Sequence, residues 1–145
     1  MSRKLPETVD AALVNNRFTL EIEANEAMLH DQVVTAIESH YGSKTWATID
    51  VGTHVNGWLN YFTARFTVHE EVDPDLETED ADVTVVHGQT YELSIDKLKH
   101  GLALMYRKGY RHDFCDVIKG EINAEIADTL VQFALFGRLA CNGIR

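Results

Sequence analysis

Between Tyr106 and His112 the chain reads YRKGYRH, and the residue types gathered there are suited to holding an anion. Arg107 and Arg111 can clasp a phosphate or carboxylate with paired N–H donors, and Lys108 adds a compact positive charge. The rings of Tyr106 and Tyr110 offer faces on which a nucleobase stacks. These five residues form the candidate ligand-binding set, for a nucleotide or another phosphate compound. The same cations also have an ordinary use. Positive side chains near a helix C-terminus meet the negative end of the macrodipole, and a basic helix face opposite an apolar stripe is commonly just solvated. Gly109 predicts a break in the helix between Arg107 and Arg111, so the two guanidinium groups need not project together.

A second constellation has the opposite sign. Glu70, Glu71, Asp73, Asp75, Glu77, Glu79, Asp80 and Asp82 place eight carboxylates in thirteen residues. At near-alternate positions they imitate the phosphate spacing of nucleic acid, which makes them the candidate partner-binding set, aimed at a basic surface on another protein. The composition is equally that of a solvated, self-repelling loop over residues 70–82. DPDLETED lacks the glycine-centred spacing of an EF-hand loop.

Other chemistries find less support. His112, Asp113, Cys115 and Asp116 are metal-ligand types, but four near neighbours do not easily converge on one tetrahedral ion and no H-x-x-x-H helix accompanies them, so no metal is expected. Cys115 has His112 three residues away, a pairing any helix offers, and Phe114, Val117 and Ile118 predict that the thiol simply packs. The glycines at 42, 52, 57, 88 and 101 are isolated, as turns and caps require, and build no phosphate loop. No catalytic residue and no cofactor is expected.

The elements that must position these groups follow from hydrophobic period. In RFTLEIEA, residues 17–24, Phe18, Leu20 and Ile22 alternate with Thr19, Glu21 and Glu23, the pattern of a half-buried strand. Asn25 caps a helix through EAMLHDQVVTAIESHYG, with Gly42 as its stop. KTWATIDV, from Lys44, and WLNYFTARFTV then form a hairpin joined across Gly52 to Gly57. In its second arm Trp58, Phe62, Ala64, Phe66 and Val68 share one face, and Leu59, Tyr61, Thr63, Arg65 and Thr67 the other. Aromatics on both faces leave the second as a possible dimer interface. DVTVV and TYELS make a further short hairpin around His87, Gly88 and Gln89.

Ser94 caps a helix from Ile95 to Lys108, with Ile95, Leu98, Leu102 and Met105 inward and Lys97, His100, Arg107 and Lys108 outward. A short helix through HDFCDVIKG follows. Asn123 then caps AEIADTLVQFALFG, whose packing stripe is Ile126, Leu130, Phe133 and Ala134 and whose end is Gly137. Residues 17–93 are thus mainly strands with one helix, and residues 94–140 are helical. The order predicts an α+β fold, an antiparallel sheet of about five strands with one N-terminal helix and a three-helix C-terminal part packed on one face.

With 145 residues, 45% of them hydrophobic, the chain suits a single domain over 1–145. No apolar run approaches the roughly 20 residues that cross a bilayer, and the start lacks the h-region of a signal peptide, which predicts a cytoplasmic protein without a membrane partner. The two cysteines have no CxxC spacing. A net charge of -10 argues against general binding of nucleic acid.

The C-terminal third, LSIDKLKHGLALMYRKGYRHDFCDVIKGEINAEIADTLVQFALFG, resembles the ending of a family of small bacteriophage and prophage proteins. The matching pattern is a GL-x-LM helix, an H-x-DF element, which stands here as a contiguous His-Asp-Phe, and an AD-x-x-x-Q-x-ALFG helix. It is carried here by Gly101, Leu102, Leu104, Met105, His112, Asp113, Phe114, Ala127, Asp128, Gln132, Phe133, Ala134, Leu135, Phe136 and Gly137. VVTAIESHYGSKTWATI, residues 33–49, is similar to a second family segment, TALEGG-x-NYW, with Thr35, Ala36, Ile37 and Trp46 in place and the double glycine lost. The resemblance implies a phage or prophage origin and brings no activity with it. Together with the size and acidity it leads to the expectation of a phage-encoded accessory protein that binds without catalysis and antagonises or modulates a host protein. The alternatives are a nucleotide or phosphate sponge using the basic cluster, and a structural or assembly protein of the phage.

Overall fold

Side-chain caps fix where most of the helices begin. The structure, a computed structural model, describes residues 25–53, 59–69, 85 and 87–141. At the head of α1, Glu26–Glu38, the Asn25 side chain accepts hydrogen bonds from the backbone N–H groups of Ala27 and Met28. Ser94 accepts from the N–H of Lys97 at the head of α2, Ile95–Arg107. α3, Arg111–Ile118, starts at Tyr110 without a side-chain cap, and α4, Ala124–Phe136, starts at Asn123, which accepts from Glu125 and Ile126. Each cap satisfies N–H groups that a helix start leaves without intrahelical partners, and all three are the residues the sequence predicts.

The helix ends differ more from expectation. α1 stops at Glu38, one turn short of Gly42, and the chain closes through a 3₁₀ turn at Ser43–Thr45 in place of a strand beginning at Lys44. Gly42 serves a close approach there: a Cβ would lie 2.2 Å from the carbonyl oxygen of Ala36. α2 ends as expected. Gly109 takes φ +91° and lets the N–H of Tyr110 donate to the carbonyl of Met105 at 2.8 Å, which turns the chain out of the helix and into α3.

The sheet has β1, Ala47–Thr53, β2, Leu59–Val68, and β3, Thr90–Glu92, in the antiparallel order β1-β2-β3. The described residues therefore form an α+β fold of four helices and a three-stranded sheet, where the sequence predicts about five strands. The expected strand at residues 17–24 lies outside the described residues, as do residues 82–84 and 86 of DVTVV; Val85 is buried outside any strand.

The buried face of the sheet carries Ala47, Ala64, Phe66 and Val68. Cross-strand register places Thr48, Thr67 and Thr90 in one row of the opposite face and Asp50, Arg65 and Glu92 in the next. That face is polar. The expected aromatic second face is missing because the β1–β2 register shifts between Asp50 and Gly52. Between the Asp50–Arg65 and Gly52–Asn60 pairs the strict alternation of β2 is interrupted, and Tyr61 turns toward α1, its hydroxyl donating to the Glu38 carboxylate at 3.0 Å.

All four helices join one core. Trp46 stacks on Phe66 with centroids 5.9 Å apart, and Phe136 presents an edge to Trp46 at 5.5 Å and to Tyr91 at 5.0 Å. α4 is buried on every side from Ala127 to Phe136, where the sequence predicts a single stripe. It is the central rod of the molecule, with α1, α2 and α3 against it and its last turn on the aromatic layer of the sheet. α2 reaches it closely because Gly101 has no side chain: a Cβ there would sit 2.5 Å from the Ala134 nitrogen and 2.9 Å from the Phe133 carbonyl carbon.

Those obstacles are backbone atoms and cannot swing aside. Gly101→Ala is expected to destabilise the fold by about 3 kcal/mol, read as a lower urea midpoint at unchanged slope. Gly109→Ala meets no atom within 4 Å and strains only its left-handed backbone, so about 1 kcal/mol is expected. Equal midpoints for the two variants would contradict the close α2–α4 crossing.

Candidate functional site

The basic corner forms where α2 hands the chain to α3, and most of its side chains are already committed. Lys108 lies half-buried and its Nζ donates to the Gly137 carbonyl at 3.0 Å, just past the C-terminus of α4. That is the expected use of a cation at a helix end, though the helix is not its own. The Arg111 guanidinium sits 5.0 Å from the centre of the Tyr106 ring, in cation–π contact. Tyr106 in turn meets Phe114 edge-on at 5.1 Å, and Tyr110 meets Phe133 at 5.0 Å. Both tyrosines are half-buried against the core, so the rings that the sequence offers as stacking faces are engaged by the fold. Arg107 is exposed on the last turn of α2. The acidic set, Glu70, Glu71, Asp73, Asp75, Glu77, Glu79, Asp80 and Asp82, lies outside the described residues.

A polar constellation that the sequence reading passes over lies in the core. The Asp128 carboxylate, 2% exposed, accepts through Oδ1 from the Ser43 hydroxyl and the Trp46 indole N–H, each at 2.7 Å. Its Oδ2 accepts from the Gln132 side-chain amide at 2.9 Å. The same amide nitrogen donates to the Cys141 carbonyl, while Gln132 Oε1 accepts from the backbone N–H groups of Ala140 and Cys141, all at 2.9 Å. Gln132 thus pairs with the C-terminal segment as a backbone strand would. The signal for it was present: Asp128 and Gln132 stand one turn apart in a helix whose only other polar residues are Glu125 and Thr129. Ser43, Trp46, Gln132 and Cys141 are each 0% exposed. A carboxylate beside a hydroxyl is a reactive pairing in an open cleft, whereas here it is sealed and acts as a tie.

On α3, ligand atoms of His112, Asp113 and Asp116 lie within 4.8 Å of one another. His112 Nδ1 is 3.3 Å from Asp116 Oδ2, the geometry of a neighbouring-turn ion pair on a helix. Cys115 lies outside this group and is exposed, contrary to the expectation that it packs. α3 has only two inward positions, Phe114 and Val117, and Cys115 falls between them on the outer side. An open groove of about 550 Å³ lies elsewhere, where the N-termini of α1 and α2 meet β2, lined among others by Glu26, Phe62, Ser94, Asp96 and Lys99. Its lining carries both signs of charge and none of the basic corner.

No protein-family model matches the chain, and neither a curated protein nor a solved structure shows significant similarity to it. No helix among the described residues is long and apolar enough to cross a membrane.

Removing the carboxylate at the centre of the buried tie leaves three donors without their acceptor. Asp128→Ala is expected to destabilise the fold by about 3 kcal/mol or more in urea denaturation. Asp128→Asn, which keeps one acceptor but points an amide at the Gln132 amide, should fall between it and the wild type; a neutral Asp128→Ala would refute the tie. At alkaline pH the Tyr61–Glu38 contact makes a separate prediction. Desolvation, and then the hydrogen bond and charge of Glu38, hold the Tyr61 phenol above its ordinary value of 10.0. The folded state therefore keeps this proton more tightly than the unfolded chain, so the contribution is present below pH 10 and is lost as pH rises through the raised value. Tyr61→Phe should flatten that alkaline loss in a series of denaturation midpoints; an unchanged pH profile would show the contact to be inert.

Proposed function

We propose that the chain is a phage-encoded accessory protein that works by binding a host protein, without catalysis of its own. The observation that supports this reading is what the fold does with its reactive side chains. Ser43, Trp46, Asp128 and Gln132 satisfy one another in a sealed core, and Lys108 and Arg111 are held by a helix end and an aromatic ring. The charge that a partner could meet is segregated along the sequence. Eight carboxylates stand between Glu70 and Asp82, and five cations stand between Lys97 and Arg111. In this reading the acidic run competes with nucleic acid for a basic region of the host protein. The phage origin rests on the C-terminal resemblance.

A phosphate sponge is the second reading, favoured by the exposure of both Arg107 and Arg111 on either side of the Gly109 turn. The two readings separate in one set of measurements on the full chain. Affinity capture from a bacterial lysate should retain a host protein in near-stoichiometric amount, released by raised salt and lost when the carboxylates of residues 70–82 are replaced by amides. Nucleotides and polyphosphates should leave the melting temperature unchanged. A stabilisation of about 2.7 kcal/mol at a hundredfold excess over Kd, abolished by Arg107→Glu with Arg111→Glu, would overturn the proposal in favour of the sponge.

A further inference from the structure

The sixteen residues from Lys97 to His112 carry five cations, Lys97, Lys99, Arg107, Lys108 and Arg111, and no carboxylate, within a chain of net charge -10. The helix brings part of this charge to one side. His100, Ala103 and Arg107 follow one another at three- and four-residue spacing along the outward stripe of α2, with Lys99 beside His100, and all four are exposed. The stripe opens on the exposed Asp96, one turn before His100, and runs about 16 Å to Arg107, while Lys97 stands to one side with its Nζ donating to the Glu92 carbonyl. At its far end Arg111 is steadied against Tyr106 and Lys108 against Gly137, so the positions of two further cations are set before any ligand arrives. Of the carboxylates nearby, Glu92 faces Arg65 at 3.6 Å and Asp116 lies 3.3 Å from His112, while Glu26 and Asp96 line the open groove together with Lys99.

We infer that this face of α2, continued onto the α2–α3 corner, is a docking surface for an acidic polypeptide segment of a partner protein. The inference rests on the binding function proposed above and adds a second contact of opposite sign to the acidic run. A peptide is favoured over a nucleic acid by what the aromatic rings do. Tyr106 and Tyr110 lie against Phe114 and Phe133, so a single strand finds cations here but no free pair of stacking rings. An extended polyanion would also meet the carboxylates elsewhere on the chain, whereas a short acidic segment need cover only this stripe.

The test is fluorescence anisotropy with a short labelled poly-glutamate peptide and the full chain, at roughly 0.15 M salt where distant charges are screened. Saturable binding that weakens with salt is expected. A Lys99→Glu, Arg107→Glu double variant, checked for an unchanged melting temperature, should bind roughly ten-fold more weakly, equivalent to about 1.4 kcal/mol. A Lys99→Gln, Arg107→Gln pair should fall between them. Absence of saturable binding, equal binding by the charge-reversed variant, or preference for an oligothymidine of equal charge would each overturn the inference. If a host protein captured from lysate remains fully bound to the charge-reversed variant, this surface is wrong and the binding function stands. If the peptide binds as expected while no host protein is captured, the surface stands and the proposed function fails.

Discussion

Burying a carboxylate removes hydration worth several kcal/mol, and the penalty is offset only where strong donors converge on the charge. Asp128 meets that condition. Ser43, Trp46 and Gln132 reach it from the 3₁₀ turn, the residue after that turn and the next turn of α4, and Gln132 carries the connection on to residues 140 and 141. The route of the chain between α1 and β1, the place of Trp46 against the sheet, and the path of the chain after α4 are thereby fixed to one side chain. An apolar residue in place of Asp128 would fill space but would not specify where the turn and the C-terminal segment must go.

The same tie explains why α4 can be buried all round. A central helix without polar groups would have no means of fixing its rotation among several apolar neighbours. Asp128 and Gln132 fix it, and Gly101 fixes its distance from α2. Gly101, Asp128, Gln132, Ala134 and Phe136 all fall at these crossings, where they shape the core.

Local signals made much of the fold legible. Asn25, Ser94 and Asn123 cap through contacts two or three residues away, Gly109 breaks a helix through its own φ, and the two-residue period of β2 survives from Ala64 to Val68. What escaped the sequence depends on distant partners. Gly42 reads as a helix stop until the chain is seen to fold back on Ala36. Tyr61 reads as outward until a register shift turns it to Glu38. Lys108 reads as solvated until the end of α4, 29 residues further on, is placed beside it. The candidate site was legible as a composition, and its geometry was not, because the cations and tyrosines are adjacent in sequence but their partners are remote.

Charge on this protein is accordingly of two kinds. Asp128 and Lys108 are structural charges whose partners are fixed by folding. The exposed cations of α2 face away from the core, and five cations stand from Lys97 to Arg111 without an intervening carboxylate. Self-repulsion between those cations makes the arrangement unfavourable in isolation. A partner of opposite charge turns that repulsion into binding free energy. Its desolvation cost is small because the exposed stripe lets the charges remain partly in water. Such a contact is fast to form and sensitive to salt.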